Sequence, residues 1–170
     1  MIKPHGSDTL NPLYVRDDNE RKALLAEAEK LPSVVVSSAA AANAVMLGAG
    51  YFNPLTGYMN LKDAMSVAEG MKTTSGLFWP TPIVNVLEDV SAIKDSKRIA
   101  LRDPNVAGNP IIAIQDVEAI DEATDDQMKL MTEKVYRTLD PEHPGVKAFT
   151  SVGKFFVSGP IKVLSYSYFA

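Results

Sequence analysis

Cysteine is missing from the 170 residues. Disulfide staples, thiolate metal sites and a cysteine nucleophile are thereby excluded, and the composition suits a reducing compartment. Histidine is scarce. His5 and His143 are the two in the chain, and neither falls in the H-x-x-x-H or H-E-x-x-H spacing of metal-binding helices. Each adjoins Pro or Gly, so rings hydrogen-bonded within local turns are expected rather than ligands. Basic excess is also lacking. The net charge is −4 and the sequence pI about 5.2, whereas sequence-independent binding of nucleic acid needs a basic face. The local run "KDSKR" (94–98) is diluted by Asp95. Lys94, Lys97, Arg98 and Arg102 amount to a small patch on one hairpin, read here as solvated surface. No apolar run reaches the roughly 18 residues of a membrane span, and the first residues lack the apolar stretch of a secretory signal. A cytoplasmic protein is expected.

The common phosphate and nucleophile motifs are missing as well. "GAGYFNPLTG" contains G-x-G but no third glycine, and it follows a helix where a dinucleotide loop follows a strand. No G-x-x-x-x-G-K-[ST] and no G-x-S-x-G occurs. Acids number 21, but Glu88-Asp89 and Asp125-Asp126 are adjacent pairs whose members point to different faces. Asp125-Asp126 suits the positive end of a helix, and Asp103 and Asp140 precede prolines as turn residues. No catalytic, substrate-binding or metal-binding residue is assigned.

What is present is the composition of one globular domain, residues 1–170, 46% hydrophobic and 22% charged. A helix is expected over 17–31, capped by Asp17 or Asp18 and ended by Pro32. A short buried strand follows at 33–36. A second helix, capped by Ser37 or Ser38, is stopped by Gly48. Asn60 caps a third over 61–71. A strand is expected from Thr81 to Leu87, and two more at 97–104 and 109–120 joined by a hairpin turn. Thr124 and Gln127 form a capping box for a helix over 125–139, with Met128, Leu130, Met131 and Val135 on its core face. "DPEHPGV" (140–146) reads as a rigid turn, followed by a short helix and a last strand near "GPIKVLSYSY". Short strands with helices segregated among them indicate an α+β fold with a small mixed sheet or barrel.

The densest punctuation is "GYFNPLTGYM" (50–59). Gly50 and Gly57 are read as sites of positive φ or close backbone approach. Phe52, Leu55 and Met59 are read as plugs between a helical layer and the sheet. In the alternative reading the loop presents Tyr51, Asn53 and Tyr58 to a partner domain, and the two can coexist.

These segments resemble the ATP sulfurylases, or sulfate adenylyltransferases. "KPHGSDTLNPLYV" is similar to that family's opening. "GYFNPLTGYM" is similar to its Gly-x-Phe-x-Pro-Leu-x-Gly-Phe-Met segment through Gly50, Phe52, Pro54, Leu55, Gly57 and Met59, with Tyr58 in place of Phe. "WPTPIVN", "IALRDP" and "DPEHPGV", with Asp140, His143, Pro144 and Gly145, fit in order. Arg137 and Ser158 stand where the family commonly has Gly. The resemblance spans nearly the whole chain. It implies a PUA-like pseudo-barrel of short mixed strands with flanking helices, the amino-terminal domain of an enzyme that joins ATP and sulfate into adenosine 5′-phosphosulfate and pyrophosphate with Mg²⁺, reversibly, in sulfur metabolism such as sulfate assimilation. The family's catalytic signature, Gln-x-Arg-Asn-Pro-x-His-x-x-His, does not occur in this chain. The resemblance therefore implies a non-catalytic structural domain that holds no cofactor itself, packs on a separate catalytic domain and belongs to a homo-oligomer. The alternative is a PUA-like RNA-binding or protein-interaction module.

Overall fold

Helices start where a side-chain acceptor meets the free amides of a first turn. In the computed structural model, which describes residues 2–166, Asp17 caps α1 (Asp18–Ala28) and Ser37 caps α2 (Ser38–Ala49). Asn60 caps α3 (Leu61–Gly70). Thr124 caps α4 (Asp125–Tyr136), with the Gln127 side chain accepting in return from the Thr124 amide. His143 caps α5 (Pro144–Thr150). Each cap pairs amides that the helix itself leaves unpaired.

Helix ends depart from expectation for packing reasons. α1 stops at Ala28, although Leu31 still packs against its cluster. α2 runs through Gly48, which is a helix residue because Val163 lies against it, and ends at Gly50 with φ 84°. α4 ends at Tyr136, short of Leu139, because Arg137 takes φ 59°. That left-handed conformation is the one glycine supplies at helix ends, which accounts for the family's usual residue there. Residues 144–146 of the expected rigid turn form the first turn of α5 instead.

Seven strands form one curled mixed sheet: β1 (Ser33–Val35), β2 (Gly57–Tyr58), β3 (Val86–Leu87), β4 (Arg98–Arg102), β5 (Ile111–Asp116), β6 (Ala119–Glu122) and β7 (Phe155–Val163). The path runs β1-β4-β5-β7-β2, with β3 and β6 also on β7. β1 pairs parallel with β4 and the other pairings are antiparallel. β1 is an edge strand with Val35 exposed, not the buried strand that the valines of 34–36 imply. The strand expected from Thr81 shrinks to Val86–Leu87, since Pro80 and Pro82 have no amide for a ladder. The run 109–120 breaks into β5 and β6, which pair with opposite halves of β7. The last strand begins earlier than expected, at Phe155.

Three apolar clusters follow. α2 and the 79–87 segment cover one side of β4, β5 and β7. Leu24 and Ala28 of α1 cover Ala100, Ile111 and Ile114 on the other. Ala64 of α3 and Met131 of α4 pack on Val86, Ala123 and Phe156.

Two changes test this account of the backbone. Arg137→Gly relieves a left-handed residue and should stabilise the chain by about 1 kcal/mol. Gly159→Ala should destabilise it by about 3 kcal/mol or more, because φ is 137° and an added Cβ would overlap the Asp116 carbonyl oxygen. Urea midpoints at constant slope measure both.

Candidate functional site

The segment 50–59 is built around one buried amide. Asn53 is buried at 7% exposure and uses its whole side chain. Its Oδ1 accepts from the Asn11 amide at 2.9 Å. Its Nδ2 donates to the His5 carbonyl at 3.3 Å and to Ser7 Oγ at 2.7 Å. One side chain thus fixes an N-terminal arm, residues 2–13, across the segment. The arm has a second anchor, His5 Nε2 against the Phe78 carbonyl at 2.9 Å. The His5 ring lies 6.0 Å from Trp79, and Phe52 meets Trp79 edge-on at 5.8 Å. The Asn53-Pro54 bond is cis.

Around this clasp the motif residues are packing elements. Gly50 ends α2, with Leu10 and Pro12 against it. Phe52 and Leu55 pack on the main cluster, which includes Met59. Pro54 lies beside Gly6. Gly57 runs so close to Gly159 that a Cβ would overlap the Gly159 carbonyl oxygen. Tyr58 is buried and donates to the Ala40 carbonyl at 2.6 Å. Burial pushes its phenol pKa far up, so it stays a donor. Of the three residues considered for a partner, Asn53 and Tyr58 are internal and Tyr51 alone is exposed, at 74%.

The second motif cluster is a turn and a cap. Asp140 Oδ1 accepts from the Glu142 amide at 2.9 Å, and its carbonyl accepts from the His143 amide. His143 Nδ1 faces the Gly145 and Val146 amides at 3.2 and 3.4 Å. Pro144 opens α5, and the Tyr136 ring lies against Gly145. An apolar cleft of about 240 Å³ is lined by Phe52 of the first cluster and by Tyr136 and Phe149, which flank the second. Neither histidine ring is turned toward the other's segment: one caps a helix and one holds the arm.

A cleft of about 600 Å³ on the β5–β7 side is lined by Arg16, Arg98 and Lys162 among others, and two of these three cations, Arg98 and Lys162, are ion-paired. Arg98 bonds Asp116 at 2.6 Å and Glu27 at 3.1 Å, and these bonds hold its guanidinium above the ordinary range. Lys162 meets Glu20 at 3.3 Å. Arg21 pairs with Asp18 and lies over the Tyr14 ring at 5.3 Å. Tyr14 in turn stacks on Tyr166 at 4.5 Å. Arg102 meets Glu29 at 3.6 Å, so two of the four basic residues read as a patch are already ion-paired. The remainder of the terminal "YSYFA", residues 167–170, lies outside the described residues.

Sequence reasoning missed a buried amide pair. Asn85 Nδ2 donates to Gln115 Oε1 at 3.2 Å, and Gln115 Nε2 donates to the Val157 carbonyl at 3.0 Å. Both residues are fully buried. The signal was present: each is a lone amide inside an apolar run, "IVNV" and "IIAIQ". Asn85 Oδ1 has no protein partner.

The clasp predicts a spectroscopic change. Asn53→Ala leaves the Asn11 amide without its acceptor and should cost about 2 kcal/mol. Trp79 is the chain's one tryptophan. Its emission should move to longer wavelength as the arm lifts, before the far-ultraviolet dichroism changes. An unshifted emission maximum would show that the arm is held by something else.

A family model described as a PUA-like domain matches residues 2–166. The sulfate adenylyltransferase of Alcanivorax borkumensis is 62% identical over 170 residues, covering 100% of this chain and 42% of that protein. That of Allochromatium vinosum is 58% identical over 169 residues, covering 99% and 43%. The chain therefore spans less than half the length of these relatives. Among solved structures, the hexameric APS kinase from Thiobacillus denitrificans superposes with a TM-score of 0.66 at 24% identity, covering 98% of this chain and 27% of that one. At that identity the likeness concerns the fold.

Proposed function

The chain belongs to the PUA-like domain family, and from that premise we propose that it is the amino-terminal, non-catalytic domain of a sulfate adenylyltransferase. The observation that carries this reading is the 62% identity that runs over the whole chain yet covers only 42% of the Alcanivorax borkumensis enzyme. The longer enzyme takes ATP, with Mg²⁺, and sulfate as substrates, releases adenosine 5′-phosphosulfate and pyrophosphate, and forms a homo-oligomer. This domain packs on the catalytic part.

The site geometry supports a scaffolding role. Attack of sulfate oxygen on the α-phosphorus needs positive charge already positioned around the triphosphate. Arg98 and Lys162 in the 600 Å³ cleft, and Arg21 beside it, are instead tied to carboxylates, and the third cation of the lining, Arg16, shares it with Asp17, Glu20 and Asp116. A triphosphate entering there would have to displace Asp116 or Glu20, both like-charged to it. The residues do not fit the nucleotide, and no step of the reaction is placed on them. The motif residues have structural duties: they cap, clasp and fill. The ion pairs of Arg98 and Arg102 likewise weigh against a nucleic-acid face.

The test is sulfate-dependent pyrophosphate release from ATP. The 170-residue chain should give none above background. The Alcanivorax borkumensis enzyme with its matching region replaced by this chain should turn over. Turnover by the chain alone would refute the scaffolding role, and an inactive, correctly folded hybrid would count against the enzyme assignment.

A further inference from the structure

We propose that the apolar ledge formed by the N-terminal arm and the segments it crosses is the face covered by the rest of the longer polypeptide. The proposal rests on the enzyme reading above and adds to it the surface where the two parts meet. Seven large apolar side chains are exposed among the described residues. Five of them, Ile2, Leu10, Tyr51, Met71 and Phe78, belong to the arm or to the segments clasped under it. Leu10, Tyr51, Phe78 and Met71 are linked through contacts. Leu10 lies against Gly50, next to Tyr51. Phe52 leads to Trp79, and His5 joins Trp79 to Phe78. The Trp79 amide bonds the Met71 carbonyl. Tyr51 at 74% and Leu10 at 57% exposure are large apolar groups facing water on rigid backbone, the arrangement typical of an interaction surface rather than of scattered exposed residues.

The occupant is indicated by where the chain leaves the fold. Val163 bonds Leu13 and Val15 through their backbones, and Tyr166 stacks on Tyr14. Pro12, two residues before Tyr14, touches Gly50 beside Tyr51. Tyr166, the last described residue, is therefore held on the arm that carries Leu10, and the relatives carry more than half their length outside the matched region. A tethered partner acts at an effective concentration of order millimolar, ahead of any free competitor.

The chain has no cysteine, so single reporters can be placed. Tyr51→Cys and Leu10→Cys mark the ledge, and Lys129→Cys on α4 is the control. Maleimide labelling should proceed at similar rates at all three positions in the 170-residue chain. In the Alcanivorax borkumensis hybrid, labelling at positions 51 and 10 should slow by about tenfold or more, with position 129 unchanged. Equal rates in the hybrid overturn the proposal. So does protection in the 170-residue chain that grows with its concentration, which would make a second copy the occupant. Pyrophosphate release by the same hybrid separates the two readings. Turnover without protection keeps the enzyme and removes this face. Protection without turnover keeps the face and removes the activity.

Discussion

Strand β7 is the constraint to which the other elements adjust. It pairs with β2, β3, β5 and β6, and these four partners divide its nine residues between them. The division falls at Gly159, which takes φ 137°. Residues Phe155–Ser158 serve β3 and β6, and Gly159–Val163 serve β2 and β5. Three backbones meet there: Gly159 lies against the Asp116 carbonyl, and Gly57 against Gly159. A side chain at either glycine would push the sheet apart, so the curl of the half-barrel rests on two missing Cβ atoms. Ser158 needs no such freedom. Its φ is unexceptional, and its hydroxyl reaches the Ala119 carbonyl.

From that close approach the stiffness of residues 50–59 follows. Gly57 must arrive at β7 in one register, immediately after a helix that ends at Gly50, so the residues between have little room to vary. Asn53 converts this rigidity into a longer-range fastening. Its amide is too deep for water, hence its hydrogen-bonding capacity must be met by protein, and the arm supplies it. Tyr58 shows the same economy. The family's Phe would fill the volume, but the hydroxyl adds a buried bond to the Ala40 carbonyl and so joins β2 to α2.

What could be read in advance was whatever is decided within a few residues. Caps at Asp17, Ser37, Asn60 and Thr124 depend on one side chain and the next turn, and they stand as expected. So does the α+β class; Gly50 has φ 84° and Gly57 lies against the Gly159 carbonyl. What failed was decided at long range. Gly48 reads as a stop because nothing in its neighbourhood announces Val163. Burial was expected for the whole of "SVVV" because the run is apolar, but its place at the sheet edge depends on β4 alone reaching it. The 109–120 run has no internal break signal, and it divides because its two parts pair with different residues of β7. Asn85 and Gln115 were visible as lone amides in apolar runs, yet their pairing across 30 residues was not.

The charges carry the last step. Where basic groups are to hold phosphates, they are kept unpaired, and the fold must offset their mutual repulsion. Here the opposite holds along the β5–β7 side: Arg98 has two carboxylates and Lys162 has one. These pairs are half exposed and each contributes little to stability. The cleft lining thus sets Asp17, Glu20 and Asp116 against Arg16, Arg98 and Lys162, while the apolar side chains of the arm remain uncovered. A surface so arranged selects partners by shape and apolar area rather than by charge. That is the kind of contact one part of a polypeptide makes with another, where orientation has to be permanent and insensitive to salt.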